Sequence, residues 1–527
     1  MDGYTRREYL RTMAAGSLAL GAGGLVAACG SSGSSTPAST GGASHGTPKH
    51  GGTLTIGFTG GGSGDTINPL APVANVDYAR VLNLYDLFAQ ITPHGKSALN
   101  LAEEITPNRD ATQWDIRLRR GITFHNGKEA TAADVIYTFG LNVNPKAPGE
   151  AAAALAALDV KGMKKLDKYT ARIPFHKPIG TLVQSLATNV APYLVPVGFN
   201  PKTDKPIGTG PFKYKSFTPG QQSTFVRNQN YWQHGLPYAD SLVMVDYSDE
   251  TAQANSLASG QSDAIAGVST DVKAQLESGG QKLLISNGGG WNPFTMRVDT
   301  PPFNDVRVRQ AMRLIVDRKQ MRETVFDGMG LMGNDVFGIF APEYDHSLPQ
   351  RDQDIDKAKS LLKAAGHENL TVQLVTSDIA QGVVKCAQVL AQQASAAGVT
   401  INLRQVTVSE FFGQNYLKWA FAQDYWDYNF YLPQVADSNI AGAPFNETHW
   451  DRPHYTSLYQ QAEATTDEAK RTQICHELQM IDYDQGGYII PFFIPIIDAY
   501  RPNIGGTIAG VAGQSFNNYD FKHMWIG

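Results

Sequence analysis

The sequence predicts an α/β protein of more than one lobe, and three observations predict it. Residues 370–406 read as strand, helix, strand: "LTVQLVT" alternates, "GVVKCAQVLAQQASAAG" has helical spacing and stops at Gly398, and "VTINLRQV" alternates again. Near the other end, "GGTLTIGF" (51–58) alternates with Leu54, Ile56 and Phe58 on one face. Third, about 475 residues follow the polar N-terminal stretch, and at roughly 100–200 residues per domain they suggest about three lobes.

In chain order, the first element is a leader. "MDGYTRREYLRT" sets Arg6, Arg7 and Arg11 against Asp2 and Glu8, and residues 13–28 then run uncharged with four glycines among them. A membrane-spanning helix needs about 20 predominantly apolar residues, and each glycine disfavours helix by roughly 1 kcal/mol against alanine. A basic start, a short apolar middle and small residues read instead as an export signal over 1–28. "TRREYLR" is similar to the twin-arginine export pattern. "LVAAC" resembles the lipobox of bacterial lipoproteins, which makes Cys29 the acylated N-terminus of the mature chain. Two or more acyl chains anchor stably where a single one binds marginally. Residues 29–50 carry almost no apolar side chains and read as a flexible tether. The expected location is the outer face of the cell membrane, at the cell surface or in the periplasm.

The formal charge is −5 and the leader contributes +1, so the remainder is near −6, which argues against a nucleic-acid partner. The most apolar later stretch, "GGYIIPFFIPIIDAY" (486–500), is broken by two prolines. Cys386 and Cys475 could pair in an oxidising compartment, and the sequence leaves that open. After the first strand, "TGGGSGDTINPL" has the glycines of a phosphate cradle but no Lys-Ser/Thr, and Asn68-Pro69 interrupts any helix, so it reads as a loop. "WDIRLRRGITFHNGKEATAADVIYTFG" predicts strands at 114–118 and 122–124, a turn at Asn126-Gly127, and a helix to Phe139 with Thr131 as N-cap and Asp134 in the capping-box position. The alanine-rich 151–158 reads as helix. "DIDKAKSLLKAAG" reads as a helix capped by Asp354, with Ala358, Leu361, Leu362 and Ala365 inward and Gly366 as the stop. No GxSxG, HExxH or Cys–Cys metal pattern appears, so no catalytic residue, cofactor or metal is expected.

These segments together resemble the extracellular solute-binding proteins of family 5, the peptide/nickel-type receptors of ABC importers. The most specific stretch is 101–139, where Leu118, Arg119, Gly121, Phe124, His125 and Gly127 match a hairpin signature, and Thr131, Ala132, Asp134 and Val135 match the helix that follows. "PIGTGPFKYKSF", "NQNYWQHGLPYADSL" and "NDVRVRQAMRLIVDRKQM" match further family segments. The resemblance implies a two-lobed periplasmic-binding-protein-like fold of type II with an extra subdomain and a hinge. Lobe I would comprise 51–73, 191–288 and 495–527 with an inserted subdomain at 74–190, and lobe II would comprise 289–494. It implies a monomer that closes on a peptide or similar small polar solute and hands it to ABC permease subunits. Alternatives are a polyamine, nickel chelate, opine or oligosaccharide receptor, or a secreted hydrolase on the same scaffold.

Site residues are expected on the same grounds. In peptide-binding relatives an acidic residue after a second-lobe strand pairs with the peptide α-amino group, and Asp437 is the nearest match by offset, although "VADSN" replaces the usual Asp-Pro-Asp pattern. Trp426, Tyr428 and Tyr431 are candidates to line the cleft, or else alternate into the core of a strand. Trp291 and Asn292 stand where the chain enters the second lobe, Asn446 and Trp450 match a family loop, and Thr59 to Asn68 border the cleft by family position. His125, Asp134 and Arg309 are expected to be structural. His449 and His454, six residues apart around Pro453, lack the spacing of a helical metal pair.

Overall fold

The computed structural model describes residues 46–527 apart from Val73 and Ala153, so the leader, Cys29 and most of the tether fall outside the described residues. Within them, the alternating first strand forms Thr53–Thr59, with Leu54 and Ile56 fully buried and Phe58 nearly so. It pairs in parallel with Ser241–Tyr247, Ile56 opposite Met244, and with Ala264–Ile265. The sheet grown around it runs in the order 282–291, 492–500, 264–265, 53–59, 241–247, 222–227, 212–218, and Leu331–Met332 also pairs with 492–500.

The strand–helix–strand unit forms as the alternation predicts. Thr371–Thr376 and Thr400–Gln405 are parallel, and helix Val383–Ser395 buries Cys386, Ala387, Leu390 and Ala394 between them. These strands belong to a second sheet of five, completed by Phe421–Gln423, Phe294–Met296 and Tyr488–Ile489. Helix Ile355–Ala364 starts where Asp354 accepts the Lys357 N–H at 2.9 Å, and it buries Ala358 and Leu362.

Besides the short Leu331–Met332 strand, two connections carry the chain between the two sheets. Lys282–Trp291 lies in the first sheet and Phe294–Met296 in the second; on the return, Tyr488–Ile489 lies in the second and Phe492–Tyr500 in the first. Of the two prolines of the apolar 486–500 stretch, Pro491 thus sits in the crossing and Pro495 within strand Phe492–Tyr500, opposite Asn287, and no helix among the described residues is long and apolar enough to span a membrane.

A third unit, inserted after the first strand, has a four-stranded sheet in the order 102–107, 113–118, 170–174, 164–165, and helix Ala132–Asn142. Asp134 accepts the Thr131 N–H at 2.9 Å, as the capping box predicts. Residues 122–124 form only a bridge, Thr123 to Glu129. The described residues of the alanine-rich 151–158 are not α-helical. A 3₁₀ turn at Glu150–Ala152 gives way to turns, because Leu158 bridges Phe175 and Leu155 is drawn into the core, and tertiary pairing overrides alanine's weak helix preference. Cys386 and Cys475 are buried free thiols in separate cores, the first in the second lobe's core, the second in a cluster running from Phe88 and Phe139 of the insertion to Tyr455 and Leu478.

Candidate functional site

Glycine lets the two sheets approach at the crossings. Strand Lys282–Trp291 ends in Gly288, Gly289 and Gly290, and its pairing with Phe492–Tyr500 slips between Asn287 and Trp291. A Cβ on Gly289 would stand 2.5 Å from the Tyr428 ring, and one on Gly290 3.2 Å from the Trp426 carbonyl oxygen. Only glycine admits a backbone this close. Trp291 and Trp426 exchange backbone N–H···O=C bonds of 2.9 Å in both directions, and their rings stack at 5.9 Å. Trp291 also stacks on Phe337 at 5.5 Å and meets the Tyr488 ring edge-on at 5.3 Å. Glu447 accepts the Trp426 Nε1–H at 3.1 Å and the Tyr488 hydroxyl, so the indole and phenol tips keep polar partners inside an apolar box.

Tyr428 leaves this box and reaches the insertion. Its hydroxyl donates at 3.1 Å to the carbonyl of Gly95, the turn of hairpin Ala89–Ile91/Ser97–Leu99. Gly95 has φ +79°, and a Cβ there would overlap Phe340 at 2.4 Å. Burial pushes the Tyr428 phenol well above its ordinary pKa, so it stays a neutral donor.

The carboxylates divide by element. Strand Phe421–Gln423 pairs with Phe294–Met296 just past the first crossing, and its carboxyl end delivers Asp424, whose N–H donates to Pro293 O at 3.2 Å. The Asp424 carboxylate accepts the Tyr416 hydroxyl at 3.0 Å and the Tyr425 N–H at 2.8 Å. Crevices at the carboxyl ends of strands, where topology switches, are where open α/β sheets bind ligands. Asp437 instead sits half-buried on helix Tyr431–Ser438, accepting Asn429 Nδ2 at 3.4 Å.

The alternative reading of Trp426, Tyr428 and Tyr431 as core residues of an alternating strand is not what forms. The chain is irregular after Trp426 and turns into that helix at Tyr431. The Tyr431 ring is fully buried, its hydroxyl bound to Asp482 at 2.6 Å, where Tyr455 (3.0 Å) and Asn439 (2.9 Å) also donate. Burial raises the Asp482 carboxyl to about 7.

Asn292 is buried and donates to Gln381 O at 3.0 Å, tying the crossing to the loop before helix Val383–Ser395. Asn446 closes a loop by donating to Ile440 O (3.1 Å) and Trp450 O (2.9 Å) and accepting the Trp450 N–H (2.8 Å). Asn68 caps a turn, accepting the Leu70 N–H at 3.0 Å. The structure thus brings together Trp291, Asn292, Trp426 and Tyr428, reaches Tyr431 through Phe337, on which its ring stacks at 5.2 Å, and places Asn446 and Asn68 in other surroundings.

Asp134, the capping-box carboxylate, also accepts the Val197 N–H at 2.8 Å, and Arg309 donates to the carbonyls of Phe303, Gln485 and Gly486. His449 is held by Asp299 (2.9 Å) and Leu417 O (2.6 Å), while His454 is exposed on helix Pro453–Glu463. Among the described residues, no three His, Cys, Asp or Glu side chains converge as a metal centre would.

The family model described as bacterial extracellular solute-binding proteins, family 5 Middle, matches residues 97–454. The chain belongs to this family. Heme-binding protein A of Haemophilus influenzae is 26% identical over 435 residues, covering 74% of this chain and 77% of that one. Di/tripeptide-binding protein 3 of Pseudomonas aeruginosa is 24% identical over 466 residues, covering 81% and 87%. The structure of the periplasmic binding protein DppA from Helicobacter pylori, solved in complex with peptide STSA, superposes with TM-score 0.74 at 19% identity, covering 91% of this chain and 98% of that one. The fold is accordingly the two-lobed one of periplasmic binding proteins. In a solute-binding protein of this fold, the seam of Trp291, Trp426 and Tyr428 lies at the crossings about which two lobes move.

Three residues at the seam escape a sequence reading. Gly289 and Gly95 look like ordinary loop glycines until their neighbours are known, although the run "GGGW" before Trp291 is itself a signal. Asp424 precedes an aromatic-rich stretch and becomes a candidate only once strand Phe421–Gln423 is seen to end at the crossing.

Proposed function

We propose that the chain is the exported receptor of an ABC importer, capturing a peptide or similar small polar solute between its lobes and delivering it to the permease unchanged. The observation that carries this reading is the carboxyl end of strand Phe421–Gln423 at the crossing, where the Asp424 N–H bonds Pro293 O and its buried carboxylate, two residues before Trp426, accepts the Tyr416 hydroxyl. A carboxylate there offers an ammonium group a charge-assisted contact, stronger than a neutral hydrogen bond. Asp437 is the second candidate for that anchor, and the exposed Asp427 borders the same segment. Trp426, Tyr428, Trp291 and Asn292 would supply broad, side-chain-tolerant walls. Closure follows from population shift, because the solute binds the closed form better than the open one.

Support for a peptide comes from the di/tripeptide-binding relative and from the peptide complex of the structural neighbour. A non-peptide solute is the second reading, favoured by the heme-binding relative. In the same proposal Cys29 carries the lipid anchor, residues 29–50 are the tether, and the receptor works as a monomer at the outer membrane face.

Native mass spectrometry of the chain purified without refolding, repeated after denaturing release, tests the solute. A spread of co-purified masses matching di- to oligopeptides is expected, with D424N losing it more completely than D437N. One discrete non-peptide mass would displace the peptide reading.

A further inference from the structure

Away from the aromatic seam, the insertion and the second lobe touch at a second place. The loop before Leu182–Ser185 is pinned to the insertion's sheet by Trp114 Nε1, which donates to Ile179 O at 3.0 Å, and by Ile179 N–H to Ala111 O at 3.0 Å. It presses on the end of helix Pro453–Glu463 so closely that a Cβ on Gly180 would stand 2.6 Å from the Thr465 carbonyl oxygen. The Thr181 hydroxyl lies within hydrogen-bond distance of both Glu463 oxygens, at 2.9 and 3.2 Å, and Gln184 Nε2 donates to Glu343 Oε1 at 2.9 Å. Thr181, Gln184, Glu343 and Glu463 are all at least nine-tenths buried. The chain connects the insertion to the second lobe only by way of the first lobe's segments, so a rotation that parts the two at this contact breaks these bonds.

We propose that Thr181 and Gln184 are latch residues that hold the insertion closed on the second lobe and so set solute affinity without touching the solute. This rests on the reading of the chain as a receptor that closes on its ligand.

The charge count gives the latch a proton dependence. Two buried carboxylates, Glu343 and Glu463, face one guanidinium, Arg471, whose Nε donates to Glu343 Oε1 at 3.1 Å. The other titratable neighbours of Glu463, Tyr459 and Cys475, are neutral, since burial holds both far above their ordinary pKa values. One carboxyl must therefore stay protonated for the closed interface to be neutral, and Glu463, raised to about 7 by burial, is the one that does. Opening returns it to water and to its ordinary acidity. Closure then takes up a proton: it is fully favoured below about pH 4.5 and is lost as pH rises through about 7, by up to about tenfold per pH unit between.

Small-angle scattering of the solute-free full chain at pH 5.5 and 7.5 reads closure directly. The wild type should be compact at pH 5.5 and expand at pH 7.5. E463Q, which mimics the protonated acid and still accepts the Thr181 hydroxyl, should stay compact at both. T181V should be expanded at both, with T181S restoring the wild-type response and circular dichroism confirming the fold of each. Wild-type scattering that does not change with pH, or an E463Q response equal to wild type, would overturn the latch, as would a T181V chain as compact as wild type. Titration with trialanine should show the same pH order in affinity. Failure of trialanine to bind at any pH would count against the peptide reading alone, because the latch is read without solute.

Discussion

The His125 ring accepts the Gly208 N–H at Nδ1 (3.3 Å) and turns Nε2 to the Gly210 carbonyl at 3.1 Å, while the His125 backbone N–H donates to Gly208 O at 2.8 Å. These bonds fix the neutral tautomer with the proton on Nε2, and burial lowers the ring's pKa to about 4. They also explain why the hairpin signature and the Gly-Thr-Gly turn occur together. A Cβ on Gly208 would stand 2.0 Å from Leu84 O, so the turn lies flat on the first lobe and the histidine locks the hairpin to it. A histidine whose folded pKa is depressed contributes stability that is present above its unfolded value of about 6.5 and lost as pH falls through about 4. H125Q should therefore cost on the order of 1–3 kcal/mol at pH 7 and clearly less at pH 4, read by denaturant unfolding at the two pH values. Equal losses at both would rule out the neutral, doubly bonded ring. The structural reading of His125 was open to sequence because its motif is local. Asp424 was not, because its place depends on where a three-residue strand ends against a partner more than a hundred residues away.

At the scale of elements, alternation and helical spacing located the strand–helix–strand unit and the first strand because each has one buried and one solvated face. The same reasoning failed over 151–158, where every residue is alanine or leucine and no face is distinguished, and over 426–431, where aromatic and polar residues alternate from Trp426 to Phe430 without a partner strand to make them a ladder beyond the Trp426 bridge. The aromatic segment is instead organised from outside, by Gly288–Gly290 on the facing strand. That dependence is testable. G289A sets a methyl group 2.5 Å from the Tyr428 ring, too close for any real contact, so Tyr428 must swing away and release the Gly95 carbonyl. Overpacking of this kind costs typically 1–3 kcal/mol, here charged to the closed form. The expected result is a G289A chain with near-normal melting temperature but solute affinity weakened by tenfold or more in equilibrium titration. Y428F, which keeps the ring and loses only the hydroxyl, should fall between it and wild type. A G289A chain that binds as wild type would show that the seam does not need the two lobes this close.

For the whole molecule, one apolar cluster runs without interruption from the insertion into the second lobe, while the first lobe keeps a separate core around Ile56, Phe212 and Leu242. Buried acids lie in all three units. Glu150 in the insertion is raised to about 7 by burial, Asp482 and Glu463 in the second lobe to about 7, and Asp246 and Asp498 in the first to about 6. A carboxyl whose folded pKa is raised contributes stability that is fully present below its unfolded pKa, near 4, and lost as pH rises through the folded value. The opposing groups act elsewhere on the scale. Asp299 beside Arg297, and Asp335 between Arg318 and Arg351, are held below the ordinary carboxylate range, so their contribution is complete above about pH 4 and does not change from pH 5 upward. His125 and His523, both depressed by burial, gain with pH only up to about 6.5, two histidines against these five acids. Between pH 5 and pH 8 the raised acids therefore decide the sign, and thermal unfolding should show the melting temperature falling across that interval. E463Q separates the latch from this general trend. It removes one titrating acid of five, so its melting temperature should still fall with pH while its scattering curve no longer responds. A wild-type melting temperature that rises steadily to pH 8 would mean that these acids are ionised in the folded chain and that water or counter-charges reach them.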